Sequence, residues 1–140
     1  MPLEIRDVAD GVGVVITGKG MLAEKEWLDC FIEHLTQDRN KFRKYRYSLS
    51  DYTAVTETDI SSDAILTIAE YCRRAAKINP KPIVATVANQ DLTFGLSRMW
   101  EILVDRVAWE TMVFRNREDA EAWITEMVKE KFGMDNPIFS

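Results

Sequence analysis

Cysteine, histidine and long apolar runs are all scarce in this sequence. Cys30 and Cys72 are its only cysteines and His34 is its only histidine. A disulfide framework or a zinc site needs several such residues at short spacings, so neither is predicted, and we expect the two cysteines to be small core residues of helices. No apolar run approaches the roughly 20 residues that span a bilayer. Residues 1–7 lack the basic-then-apolar pattern of a signal peptide. We therefore expect a cytoplasmic protein without a membrane span, metal or cofactor.

The size and charge of the chain limit its organisation and its partners. Its 140 residues suffice for one domain, whereas two domains would each be too small to bury a self-sufficient core. We predict a single domain over residues 1–133 and a C-terminal tail over 134–140, whose Ile138 and Phe139 either pack on the domain or reach a neighbour. The net charge of −5 disfavours non-specific binding to nucleic acid or to anionic membranes.

Hydrophobic periodicity predicts five strands. Alternation indicates a half-buried first strand over residues 3–8, and Asp10-Gly11 is typical of a tight hairpin turn. A more apolar second strand over 12–16 is expected to end at Gly18-Lys19-Gly20. The remaining strands are predicted over residues 45–51, 83–88 and 110–114, with Tyr45, Tyr47 and Leu49 on one face of the third and a polar loop over 51–59 after it.

Apolar residues at helical spacing predict four helices between and after these strands. The first has the buried stripe Trp27, Leu28, Phe31, Ile32 and Leu35, and a polar loop over 38–41 follows it. The second begins near Ser61 or Ser62 and ends at Asn79-Pro80. The third is capped by Asn89 or Asp91 and has the stripe Leu92, Leu96, Met99, Leu103 and Val107. The last runs from an Asn116 cap to Gly133.

The predicted order of elements is therefore ββαβαβαβα. Strands that alternate with helices need crossover connections, so we expect strands two to five to be mainly parallel and the first strand to be antiparallel at an edge. The fold class is α/β, with a five-stranded mixed, mostly parallel sheet and four helices.

This order and three short segments resemble the STAS superfamily of sulfate transporters and anti-sigma-factor antagonists. The segments are residues 48–56, the turn Asp59-Ile60-Ser61-Ser62, and residues 91–100. The chain looks most like the SpoIIAA-like branch of uncharacterised bacterial proteins. The resemblance covers nearly the whole chain and implies the STAS-like fold.

The resemblance also implies a non-enzymatic regulatory or protein-interaction module. In antagonist members a serine of the capping turn is phosphorylated, which switches partner binding, and Ser61 corresponds to it best. The implied phosphorylation or partner site comprises Asp51, Thr53, Asp59, Ser61 and Ser62. A protein partner is the expected contact, and a second copy of this chain is an alternative.

Reasoning from the residues leads to the same edge of the sheet, with alternatives. Loops converge outside the carboxyl ends of parallel strands, where helix N-termini also offer N–H groups to anions. In the simpler interpretation the acidic and hydroxyl residues there are only helix caps, Ser61 included. A third hypothesis is an enzyme in which Asp51 and Asp59 act as an acid–base pair. The residues expected at this edge are Thr17, Asp51, Thr53, Asp59, Ser61, Asn89, Asp91 and Arg115.

A second candidate site lies around the third predicted helix. Phe94, Trp100, Trp109 and Met112 are more apolar surface than one helix face and one strand need. They predict a pocket for a small apolar, lipid-like ligand or a dimer face, and ordinary core packing is the alternative. The candidate ligand or interface residues are Phe94, Trp100, Asn89, Asp91 and Arg115.

Two further patterns favour structural interpretations. Basic residues interleave with aromatic residues over 39–47, which can bind single-stranded nucleic acid. The aromatics there alternate as strand residues do, so a solvated basic rim is the favoured interpretation. His34 lies near the end of the first helix, where a cation suits the helix dipole, so we expect no catalytic triad around it.

Overall fold

The computed structural model describes residues 2–140. Its strands are β1 (Leu3–Val8), β2 (Gly13–Leu22), β3 (Tyr47–Thr58), β4 (Ile83–Val87) and β5 (Glu110–Phe114). Its helices are α1 (Glu24–Thr36), α2 (Arg39–Phe42), α3 (Ser62–Ile78), α4 (Asp91–Leu103) and α5 (Arg117–Phe132).

The five strands form one sheet in the order β1-β2-β3-β4-β5. β1 is antiparallel to β2, and β2 to β5 run parallel, as predicted. Each crossover between β2 and β5 leads to the neighbouring strand in the same direction across the sheet. Crossovers between parallel strands are right-handed, so helices in such crossovers lie on the same face. The helices α1, α3 and α4 therefore cover one face of the sheet, whereas α5 covers the other. The predicted α/β class and mixed sheet are confirmed.

Two hydrophobic cores follow from this arrangement, one on each face. Side chains alternate along β3, so Tyr47 and Leu49 pack towards α5. Ser48 and Ser50 face the opposite side, towards α1, α3 and α4. Tyr45 was predicted to share a face with Tyr47, and that prediction is wrong. It precedes the strand and packs in the core under α1, because the chain turns before pairing begins.

β2 and β3 are longer than the sequence predicted. The three residues Gly18-Lys19-Gly20 do not end β2, which continues to Leu22, and β3 includes most of the predicted loop over 51–59. The two strands continue to pair with each other beyond the end of β4. Their pairing register shifts after Thr17 and again after Gly20. Gly20 adopts a positive φ of 65° there, which glycine tolerates without steric cost.

The helices also differ from the prediction in two places. Residues 38–41 were expected to form a loop, but the Asp38 carboxylate accepts a hydrogen bond of 3.0 Å from the Lys41 N–H and starts α2. Residues 2–140 thus form five α-helices and not four. α4 has Gln90 at its N-cap with no side-chain capping bond, so Asn89 and Asp91 are not its caps. It ends before Val107, and Leu92 is 58% exposed, so neither belongs to its core stripe.

The starts and the ends of α3 and α5 are as predicted, and α3 ends with Asn79 at its C-cap. Ser61 caps α3 by accepting from the Ala64 N–H, and Asn116 caps α5 by accepting from the Asp119 N–H. Gly133 ends α5 in the left-handed conformation.

The C-terminal tail packs against the α5 face of the sheet. The Tyr47 hydroxyl donates to the Ile138 carbonyl at 2.6 Å, and the Tyr47 and Phe139 rings lie 5.6 Å apart. Arg117 donates to the Phe139 carbonyl at 2.7 Å. Gly13 makes room for this arrangement, because a Cβ there would lie 2.6 Å from the Tyr47 hydroxyl oxygen.

Candidate functional site

A partly enclosed cavity of about 100 Å³, the central cavity, lies between the sheet and the helices α1, α3 and α4. Its floor is formed by β2, β3 and β4. Three of the four tryptophans of the chain, Trp27, Trp100 and Trp109, line it. The aliphatic and sulfur-containing residues of its floor and walls include Val14, Ile16, Leu22, Leu35, Ile60, Ile65, Ile68, Cys72, Val84 and Leu96.

The polar groups of the central cavity are nearly all uncharged hydroxyls. Ser48, Ser50 and Tyr52 project from β3, and Thr86 projects from β4. Parallel pairing sets Ser50 beside Thr86, and Ser50 beside Ile16 on its other side. The hydroxyls therefore occupy the middle of the floor, where valine or isoleucine is the usual residue of a buried strand.

Tyr52 connects the floor to the wall of the cavity. Its hydroxyl accepts a hydrogen bond of 3.1 Å from the Trp27 indole N–H. Burial raises the pKa of Tyr52 to about 12, so the phenol is neutral at physiological pH. The bond from Trp27 holds the Tyr52 ring against the α1 wall of the cavity.

The cavity lining is electrically neutral. Within residues 2–140, no aspartate, glutamate, lysine or arginine lines it. His34 lines it at the α1 end, and burial lowers its pKa to about 4, helped by Lys41 and opposed by Asp7. His34 is therefore neutral at pH 7 and does not act as the helix-dipole cation that the sequence suggested. Burial also raises the pKa of the Cys72 thiol to about 12.

The helix α4 forms one wall of the cavity, and few of its residues are buried. Ser97 is its one buried residue, whereas Leu92 and Ile102 are exposed. Trp100, one of the predicted ligand-site residues, lines the cavity. Phe94, the other aromatic residue predicted there, points away, because its ring stacks under the Arg115 guanidinium at 3.8 Å.

The residues predicted at the carboxyl edge form three separate groups, because β2 and β3 extend beyond β4. The first group lies on the α5 face. Asp51 is 7% exposed, and one of its carboxylate oxygens accepts from the Thr53 N–H at 2.9 Å and from the Thr53 hydroxyl at 2.7 Å. Its other oxygen faces Arg117 at 3.4 Å. Asp51 is thus a buried, paired carboxylate that holds the start of α5.

The second group joins the N-termini of α1 and α3. The Asp59 carboxylate accepts from the Glu24 N–H at 2.7 Å. The Glu24 carboxylate in turn accepts from the Ser61 N–H at 2.8 Å and from the Ser61 hydroxyl at 2.5 Å. Ser62 is exposed beside them. Asp51 and Asp59 lie on opposite faces of the sheet, so the structure does not assemble the hypothesised acid–base pair.

The third group surrounds the N-terminus of α4. Arg115 donates to the Asn89 carbonyl at 3.3 Å and pairs with the Asp91 carboxylate at 3.1 Å, in addition to covering Phe94. Four predicted residues are therefore brought together, at the surface and outside the central cavity. The arrangement fixes the α4 terminus to the end of β5.

Sequence reasoning missed the cavity floor and its α1 end. The predicted ligand-site residues did not include Ser48, Ser50, Thr86 or His34. Single hydroxyl residues are common in strands, so the three on the floor did not stand out as binding residues. One pattern in the sequence could have indicated the floor residues. Two serines lie two positions apart on β3, and a threonine lies within the β-branched segment that forms β4. Such hydroxyls face one side of a sheet together, which periodicity alone can indicate.

Within the described residues, no helix is long and apolar enough to cross a membrane. The same residues bring together no group of three histidine, cysteine or acidic side chains that could hold a metal ion.

The fold is similar to that of two solved structures. The anti-sigma factor antagonist SpoIIAA in its unphosphorylated form matches with a TM-score of 0.58 and 9% sequence identity, over 91% of this chain and 97% of that chain. An uncharacterized protein of the DUF3478 family from Shewanella loihica PV-4, which has a SpoIIAA-like fold, matches with a TM-score of 0.51 and 18% identity, over 87% and 91%. No family model matches the sequence, and no curated protein matches it significantly. The SpoIIAA-like, STAS-type fold that the sequence predicted is confirmed.

Proposed function

We propose that this protein is a non-enzymatic binding module that holds a small apolar molecule in the central cavity, as a carrier or a sensor. The observation that supports this most is the cavity of about 100 Å³ with its neutral, largely apolar lining. We expect the module to act in the cytoplasm and to signal ligand occupancy to a protein partner or to a second copy of the chain.

The volume of the cavity supports a ligand for an energetic reason. Protein interiors are packed so closely that voids larger than a water molecule are few. A void costs about 24 cal/mol per Å³, so this one would forgo on the order of 2 kcal/mol of packing if it stayed empty. A bound apolar molecule recovers that energy, and a larger apolar cavity, of about 150 Å³, is known to bind benzene.

A cavity-filling variant tests this function. Ser97→Leu places a larger side chain into the cavity from α4, and Arg98→Leu is the matched control on the solvent side of the same helix. The proteins are purified gently from the organism's own cells and weighed by native and then by denaturing mass spectrometry. We expect extra non-covalent mass on the wild type and on Arg98→Leu, and its loss from Ser97→Leu.

Two outcomes would contradict the proposal. One is a wild-type chain that carries no extra mass and takes up no small aromatic probe in solution. The other is extra mass that Ser97→Leu retains in full, since the ligand would then lie elsewhere. Overpacking can destabilise a core by about 1–3 kcal/mol, so circular dichroism must first show that Ser97→Leu is folded.

We propose a phosphorylation-regulated protein contact as the second candidate function, at the α1–α3 junction around Ser61. The fold shared with an anti-sigma factor antagonist supports it, as does the position of Ser61 at a helix N-terminus, which attracts phosphate. A phosphate there would meet the Glu24 carboxylate that the Ser61 hydroxyl now contacts. Like charges repel, so modification would separate the N-termini of α1 and α3.

The denaturing step of the same mass measurement tests this second function. Phosphate mass that maps to Ser61 or Ser62 would support a switch, and we then expect Ser61→Asp, but not Ser61→Asn, to disturb the α1–α3 junction in hydrogen exchange. Asparagine is the control because it also caps helices without adding charge. Unmodified serines at every growth stage would contradict the switch.

A further inference from the structure

The hydroxyls on the floor of the central cavity form a short polar row. Ser50 and Thr86 are register partners on β3 and β4, and Ser48 lies two positions before Ser50 on the same face. Ser48 keeps intermediate exposure on a central strand, because it faces the cavity. Val14 and Ile16, the neighbours of the two serines on β2, are apolar, so the row is confined to the two middle strands.

Buried hydroxyls are unfavourable unless they are hydrogen-bonded. Each hydroxyl donates one hydrogen bond and accepts two, so a single protein partner leaves capacity for another. The Tyr52 hydroxyl lines the same cavity and accepts from the Trp27 indole N–H. The floor therefore offers hydroxyl groups with hydrogen-bonding capacity to whatever fills the cavity.

Among residues 2–140, the cavity lining contains no charged side chain that could pair with an ionised ligand. Its residues within the described chain include no acidic side chain, lysine or arginine. Transfer of a carboxylate or an ammonium group into such surroundings is costly, because neither its hydration nor a partner charge compensates it. An ionised ligand is accordingly excluded by the same walls that favour an apolar one.

The volume limits the ligand to about one ring. An engineered apolar cavity of about 150 Å³ takes up benzene, and the central cavity measures about 100 Å³. A longer acyl chain would have to displace α4 or remain partly outside.

We infer that the central cavity selects an uncharged molecule of single-ring size that carries one hydroxyl group, with that group on the Ser50–Thr86 row. Phenols and cyclic alcohols are the chemical class that meets these conditions. The inference rests on the proposed function, since it specifies the ligand of the same cavity.

A matched set of ring compounds tests the inference by fluorine NMR titration of the purified wild-type chain. The probes are para-fluorophenol, para-fluorotoluene, para-fluorobenzoate and para-fluorobenzylammonium, which share one ring and differ in polarity and charge. We expect fluorophenol to bind roughly threefold to tenfold more tightly than fluorotoluene, which corresponds to one net hydrogen bond. Both ionised probes should bind at least about tenfold more weakly than fluorophenol.

Two variants test whether the preference for fluorophenol over fluorotoluene depends on the hydroxyls of the cavity floor. Thr86→Val removes a hydroxyl while nearly preserving shape, and Thr125→Val makes the same change on α5, outside the cavity. We expect Thr86→Val to lower fluorophenol affinity and leave fluorotoluene affinity unchanged, and Thr125→Val to change neither. Ser50→Ala is the second floor variant, should Thr86→Val fold poorly.

The outcomes separate this inference from the proposed function. Equal or tighter binding of fluorotoluene, or binding of fluorobenzoate as strong as that of fluorophenol, overturns the ligand class and leaves the apolar binding module standing. A preference for fluorophenol over fluorotoluene that persists in the folded floor variant, Thr86→Val or Ser50→Ala in its place, also overturns the inference. Absence of binding by every probe counts against both.

Discussion

His34 shows how one buried side chain links packing to pH. Its ring lies within 6.4 Å of the Phe31, Phe42 and Tyr45 rings, centroid to centroid. Burial is the main cause of its lowered pKa of about 4, Lys41 lowers it further, and Asp7 opposes the shift. Because the unfolded chain titrates near 6.5, the folded state excludes a proton that the unfolded state binds between these values.

We predict that acidification between pH 6.5 and 4 destabilises the protein through His34. The contribution of His34 is fully present above pH 6.5 and is lost as the pH falls towards 4, at up to about 1.4 kcal/mol per pH unit. Urea unfolding at several pH values measures it. His34→Phe should flatten this dependence, and the difference between the two proteins removes the contribution of the carboxylates. Parallel stability curves for both proteins would contradict the prediction.

Asn79 shows how a local signal can hide a tertiary role. The sequence identified Asn79-Pro80 only as the end of a helix. In the structure the Asn79 amide donates to the carbonyls of Phe42 and Tyr45, at 2.8 and 2.9 Å, and its backbone carbonyl accepts from the Trp109 indole. These partners lie more than 29 residues away along the chain, and no local pattern encodes such contacts.

At the scale of elements, α4 has the fewest buried residues of the four long helices and also forms a wall of the cavity. Its N-terminus lacks a side-chain cap, and its apolar stripe is only partly covered. Hydrophobic periodicity predicted the helix correctly but overestimated its burial. A hydrophobic stripe indicates which face of a helix is apolar, but it does not indicate how much of that face other elements cover.

We predict that Gly95→Ala stabilises α4. The added Cβ would meet no atom within 4 Å, and alanine favours a helix interior by up to about 1 kcal/mol over glycine. Thermal unfolding and hydrogen exchange of α4 measure the gain. Gly11→Ala is the matched control of opposite sign, because that glycine has equally open space but a φ of +88° that alanine adopts poorly. Destabilisation by Gly95→Ala would show that this face of α4 is covered.

The extended β2–β3 pair decides where the predicted site residues lie. Sequence reasoning ended both strands early, at a glycine pair and at a polar segment, and so expected one shared edge. Because these strands continue past β4, Asp51 falls inside the sheet beside Arg117, and Asp59 and Ser61 lie further out at the α1–α3 junction. Cross-strand pairing outweighed the local turn signals, since each residue that pairs satisfies its backbone groups.

At the scale of the whole molecule, the C-terminal tail completes the second core. The helices α1 to α4 pack on one face of the sheet and only α5 packs on the other, so part of the second face is left for the tail to cover. Phe139 supplies it by packing on Tyr47, while Ile138 contributes backbone hydrogen bonds and keeps a side chain that is 49% exposed.

We predict that Phe139→Ala lowers the free energy of unfolding by about 1–3 kcal/mol, because it uncovers the Tyr47 ring. Ile138→Ala is the control and should change stability by no more than about 0.5 kcal/mol, since its backbone bonds remain. Urea unfolding measures both variants. Equal effects of the two substitutions would show that the tail does not cover this face as described.

The sequence by itself determined the α/β class, the order of the five strands and the four long helices, four of the helix boundaries and the STAS-type resemblance. These features depend on local periodicity, capping and turn chemistry, which neighbouring residues encode. Only the tertiary structure decided the lengths of β2 and β3, the division of the predicted edge into three groups, and the central cavity with its floor of hydroxyls. A cavity is the space that distant elements fail to fill when they pack, so no segment of the chain specifies it alone.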